Sequence, residues 1–142
     1  MTARSLVALA AIALSTLVAC GESAAPPLDS PVKYVRTGGL AGETQTLTVL
    51  PTGGARLILD TGTKHEVKDF TVDPDQFEHI EELADASDLE AIEVHNKTSA
   101  PDAYTYVLTY DGDTVQWQQG QGPQELTELT DVLDDVVGAN NG

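Results

Sequence analysis

Apolar and polar residues alternate along residues 32–36, 44–50, 55–59, 103–110 and 113–118, the two-residue period of strands with one buried face. A further extended piece, 67–72, leads into the first of two stretches with helical spacing. That helix carries a full start signal. Asp73 is the cap, Pro74 takes the first helical position, Gln76 closes a capping box, and Val72 with Phe77 forms a hydrophobic staple. Phe77, Ile80, Leu83 and Ala84 make its apolar stripe, Glu78, Glu81, Glu82 and Asp85 its wet face, and it ends near Ser87. The second helix opens at Pro123, buries Leu126, Leu129, Leu133, Val136 and Val137, and stops at Gly138. Residues 89–94 are expected to return to the sheet, and 96–101 to form a polar loop.

Turn chemistry sets the expected registers. Asp111-Gly112 favours a two-residue hairpin turn, which pairs Tyr110 with Asp113, Leu108 with Val115 and Tyr106 with Trp117. Thr105, Val107 and Thr109 then face outward, so one face is apolar and the other mostly polar. A three-residue loop at Thr52-Gly53-Gly54 sets Val49 opposite Leu57 and Leu47 opposite Leu59. Hairpin followed by proline-started helix occurs twice, at 44–86 and 103–137. This order predicts an α+β domain, an antiparallel sheet of about five to seven strands with two helices packed on one face. Between the first two strands, Gly38, Gly39 and Gly42 require a turn or loop; their spacing and the lack of a Lys-Ser/Thr ending exclude a nucleotide site.

Ahead of the domain, Arg4 and the apolar run 6–19 describe a secretory signal peptide, too short for a permanent span. The run ends in Leu17-Val18-Ala19-Cys20, which resembles the lipobox of bacterial lipoproteins. That resemblance implies diacylglyceryl attachment to Cys20, cleavage before it, and a cell-membrane, lipid-anchored location outside the cytoplasm. Cys20 is the sole cysteine, so no intramolecular disulfide forms. Residues 20–31, with their three prolines, read as the acylated cysteine and a semi-extended tether. The domain is expected over 32–138 and a flexible tail over 139–142.

Charge narrows the partners. Against 23 acidic residues stand 7 basic ones, a net charge of −16, which opposes nucleic-acid binding and close apposition to anionic lipid. A hydrophobic content of 41% is enough for a real core. Chemistry is thin. His65, His79 and His95 lie on separate elements, no nucleophile–base pair or zinc set can be named, and no cofactor is expected. The Asp73-x-Asp75 and Asp111-x-Asp113 pairs are explained by cap and turn, and Tyr106 and Trp117 by the core. Asn96-Lys97-Thr98 matches a glycosylation acceptor by pattern alone. The chain reads as a non-enzyme.

Arg36-Thr37-Gly38-Gly39-Leu40-Ala41-Gly42 at the end of the first strand resembles the opening motif of the emfourin family. Later segments fall in that family's order: residues 84–89, then Asp102-Ala103-Tyr104-Thr105-Tyr106 entering a hairpin, then a helix start from Pro123 to Leu126. The similarity spans roughly residues 32–137. It implies a small inhibitor or binding module for a thermolysin-like zinc metalloprotease, with zinc belonging to the partner. Arg36, Gly38, Gly39, Leu40, Ala41 and Gly42 are then the candidate protease contacts, Leu40 as the apolar one and Arg36 as a flanking polar one. The competing expectation is an envelope structural or ligand-binding lipoprotein built on the same scaffold.

Overall fold

A computed structural model describes residues 27–95 and 100–142. The signal peptide, Cys20, most of the tether and the Asn96-Lys97-Thr98 pattern lie outside the described residues. Six antiparallel strands form one sheet: β1 (Val32–Gly38), β2 (Glu43–Val49), β3 (Gly54–Asp60), β4 (His65–Thr71), β5 (Thr105–Tyr110) and β6 (Asp113–Gln118). Their order is β4-β3-β2-β1-β5-β6, so the first strand lies inside the sheet between β2 and β5. Two helices, α1 (Pro74–Ala86) and α2 (Thr127–Asn140), complete the expected α+β architecture. Leu47, Leu57 and Leu108 from the sheet and Ile80, Leu129 and Leu133 from the helices are almost wholly buried in one core.

The hairpin β5–β6 has the register its turn demands. Tyr110 faces Asp113, Leu108 faces Val115 and Tyr106 faces Trp117. Asp111 and Gly112 both adopt positive φ (49° and 88°), the requirement of the mirror-image two-residue turn. The β2–β3 hairpin differs. Its three-residue loop is Pro51-Thr52-Gly53, one position earlier than expected, with Gly53 in the left-handed region at φ 79°. Val49 therefore faces Ala55 and Leu47 faces Leu57. The offset between opposite partners is two residues, so the inward faces stay inward.

Three further boundaries move. Residues 89–94 form no strand: Leu89–Ala91 is a single 3₁₀ turn, capped by the Asp88 side chain, and only Leu89 is buried. The domain starts before Val32, because Leu28 is 4% exposed within the core and its N–H donates to Glu81 Oε1 at 3.3 Å. At the other end, α2 runs past Gly138 to Asn140, and Lys68 Nζ donates to the carbonyls of Asn140 and Gly142 at 3.0 and 2.7 Å. A cation from the sheet thus satisfies the Asn140 carbonyl, one of those the end of a helix leaves without an intrahelical partner, and interacts favourably with the negative end of the helix dipole. Every described buried residue lies between Leu28 and Val137, so the fragment from Pro27 onward carries the full core of the described residues.

The helices cover one face of the sheet, and the register aligns the residues of the other into three cross-strand rows. The middle row is Val67, Ile58, Thr46, Val35, Val107 and Gln116, one residue from each strand. On one side run Asp69, Arg56, Thr48, Lys33, Thr109 and Thr114; on the other run His65, Asp60, Thr44, Thr37, Thr105 and Gln118.

Candidate functional site

The glycine motif forms the hairpin loop between β1 and β2. Gly38 pairs with Glu43, and the four residues Gly39, Leu40, Ala41 and Gly42 lie beyond the ladder. The Gly42 N–H closes them by donating to the Gly39 carbonyl at 3.1 Å. Leu40, at the tip, is 95% exposed.

The loop rests on the residues that enter β5, and this contact explains its first two glycines. Gly38 has φ 126°, and a Cβ there would stand 2.6 Å from the Ala103 carbonyl oxygen. Gly39 has φ 73°, and its Cβ would stand 2.7 Å from the Tyr104 hydroxyl. Gly42, at φ 62°, meets nothing within 4 Å, so conformation alone asks for glycine there. Tyr104 is itself fixed on the far side. Its N–H donates to Gln119 Oε1 at 3.3 Å, and its carbonyl accepts from the Gln119 N–H at 2.8 Å.

Arg36 does not flank Leu40 as a free contact. Its guanidinium lies 5.2 Å from the centroid of the Tyr104 ring, Nη2 donates to Gln45 Oε1 at 2.7 Å, and Nη1 approaches Asp134 Oδ1 at 3.7 Å. Only 27% of the side chain is exposed. The physical reason is strand parity. Arg36 shares the inward side of β1 with Val32 and Tyr34, beneath α2, so it braces the loop from behind. Rows of stacked rings continue that brace: Tyr106 lies 5.6 Å from Trp117 and 6.2 Å from Tyr34 between centroids. Trp117 is 5% exposed, in keeping with a core role.

Asp134 joins the brace to α2, accepting from the Tyr34 hydroxyl at 3.0 Å. Burial raises the Asp134 carboxyl above the ordinary carboxylate range. The Tyr34 hydrogen bond and Arg36 work against that shift without cancelling it, and Asp131 and Asp135 add to it. Burial and the adjacent carboxylate likewise push the Tyr34 hydroxyl upward. A carboxyl with a raised folded pKa holds its proton more tightly folded than unfolded. Its effect on stability is therefore favourable below that range and declines as pH rises through it. Asp134→Asn keeps an oxygen for Tyr34 and removes the half-buried charge. Its melting temperature at neutral pH is expected to equal or exceed that of the unaltered chain, with the gap closing on acidification. Thermal melts across a pH series check this; a large loss at neutral pH would mean the Arg36–Asp134 attraction dominates.

The remaining polar candidates have structural work. His79 Nε2 lies 3.4 Å from Glu128 Oε1 and ties α1 to α2, while His65 Nδ1 lies 3.6 Å from Asp60 Oδ2 on the neighbouring strand. Asp73 Oδ1 accepts from the Asp75 N–H at 3.1 Å, as a helix cap does. Among the described residues, no group of three or more His, Cys, Asp or Glu side chains is placed to hold a metal. No described helix is long and apolar enough to cross a membrane. Tyr104, Gln45 and Asp134 have no role in the sequence reading. Only Tyr104 had a signal, its place in the Asp102–Tyr106 segment that carries the family resemblance. Compared with known protein-family models and with curated proteins, the chain matches none.

Proposed function

We propose that the domain is a non-enzymatic protein-binding module that blocks the cleft of a thermolysin-like zinc metalloprotease, held at the membrane through acylated Cys20. One observation carries the reading of the site. Leu40 projects almost fully into solvent from a turn whose backbone is seated at Gly38 on the Ala103 carbonyl, at Gly39 on the Tyr104 ring, and by Arg36 behind that ring. An exposed apolar side chain on a preorganised loop loses little conformational freedom on binding, which is how rigid inhibitor loops gain affinity. Glycines on either side let the backbone approach a narrow cleft. Zinc and the hydrolytic chemistry belong to the enzyme, and this chain contributes occlusion. The emfourin-like order of motifs supports the same partner class, and the lipobox-like Leu17-to-Cys20 ending supports the placement.

The test is peptide hydrolysis by a thermolysin-like protease titrated with the fragment from Pro27 onward. Stoichiometric loss of hydrolysis is the expected result. Undiminished hydrolysis with excess folded fragment would reject inhibition and leave the envelope-lipoprotein reading. Mass spectrometry of the protein from its producing cell tests the anchor separately, since an uncleaved, unacylated N-terminus would remove it.

A further inference from the structure

The helix-free side of the sheet stands apart from the rest of the molecule in its charge. The chain carries a net charge of −16. Yet the three rows on this face hold two aspartates, Asp60 and Asp69, against Arg56 and Lys33, with threonines at seven of the other fourteen positions. The apolar side chains gather in the middle row, where Val67 is 48% exposed and Val35, Ile58 and Val107 are partly exposed. No tyrosine, tryptophan or phenylalanine stands in these rows, so the face lacks the stacking platforms that sugars and bases use.

We infer that this face is the contact between two copies of the chain, related by a two-fold axis running along the middle row. The charge pattern selects that occupant and that axis. Rotation about the row lays each flanking row over the opposite one of the second copy. Arg56 then meets the second copy's Asp60, and Asp69 meets its His65, each contact made twice. Val67, Ile58, Val35 and Val107 meet their own counterparts, and Lys33 meets a threonine. No like charges oppose one another. Arg56 is ready for the role: it is already held by Asp69 at 2.7 and 3.0 Å and stands exposed beside the row. Aligned face-to-face packing is the ordinary way two twisted sheets bury such faces. Six strands at the usual spacing give about 600 Å² per copy, so the pair buries about 1,200 Å², the lower bound of a specific interface. The acidic helical layers end up on the outside, as far apart as the assembly allows. This inference does not depend on the loop's partner.

Sedimentation velocity of the fragment from Pro27 onward, over a roughly hundredfold concentration range, tests it. A concentration-dependent monomer–dimer equilibrium is expected. Arg56→Asp should weaken the dimer about tenfold by facing two acids across the axis, and adding Asp60→Arg should restore it. Within one chain the two positions flank Ile58 and share no ion pair, so rescue by the double variant reports a contact between copies. Circular dichroism melts confirm that both variants fold. A fragment that stays monomeric throughout overturns the inference. So does a dimer indifferent to Arg56→Asp, or one that Asp60→Arg fails to rescue.

Discussion

Gly38→Ala is expected to destabilise the fold by about 2–4 kcal/mol, and Gly42→Ala by about 1 kcal/mol. Both positions have positive φ, so both exact a backbone cost from any residue with a Cβ. They differ in what that carbon would meet. At Gly38 it would stand 2.6 Å from the Ala103 carbonyl, a backbone atom that no rotamer change removes. Relief requires pulling the loop off the entrance to β5 or opening the Gly38–Glu43 end of the ladder. At Gly42 there is open space. Denaturant unfolding with an unchanged slope would give the two values directly. Equal losses at both positions would show that the loop yields readily and is not held by the β5 entrance. That would also undercut its standing as a rigid binding element, because preorganisation is what makes a loop of this size effective.

How much of this was open to reading in the sequence depends on how local each determinant is. The Asp111-Gly112 turn fixes β5–β6 by itself, since two consecutive residues with positive φ admit one tight solution. The start of the helix at Pro74 is equally local, with the Asp73 cap and the proline adjacent, although the Asp73 side chain accepts from the Asp75 N–H and Gln76 closes no capping box. The β2–β3 loop was less determined, because two adjacent glycines offered two frames. The structure uses the frame in which Pro51 follows Leu50 in the turn, with the Gly53 N–H donating to the Leu50 carbonyl at 3.0 Å. Proline's fixed φ suits that first turn position, a preference that outweighs the alternative placing Gly54 in the loop. Residues 89–94 fail as a strand because of the cap just before them. The Asp88 cap turns the chain at Leu89, and Ile92 and Val94 pack against the core without joining the sheet. Gly138 as a helix stop is overruled from far along the chain, by Lys68 arriving from β4.

The site divides along the same line. Glycines in the motif and the exposure of Leu40 follow from composition and a turn. The inward turn of Arg36 does not, because its partners Gln45, Asp134 and Tyr104 come from three other parts of the chain. The open face is an intermediate case. Each strand's polar alternation is visible alone, but the continuous row from Val67 to Gln116 exists only once five registers are known.

With the loop tip as the proposed protease contact, Leu40→Asp should weaken inhibition at least about thirtyfold, some 2 kcal/mol, while leaving the melting temperature unchanged. The asymmetry follows from exposure. At 95% exposed, Leu40 contributes almost nothing to the core, and an aspartate at the tip is fully hydrated. In a protease cleft the same carboxylate would be stripped of water without a partner, where leucine would bury apolar surface favourably. Arg36→Lys supplies the control that separates contact from support. It preserves charge but loses the planar guanidinium, and hence both the geometry toward Gln45 and the broad contact over Tyr104. Because Arg36 lies behind the loop, that substitution should weaken inhibition only modestly and lower the melting temperature with it. If Arg36→Lys instead removed inhibition at unchanged stability while Leu40→Asp did nothing, the contact would run through the arginine, and the loop tip would have to be abandoned as the binding element.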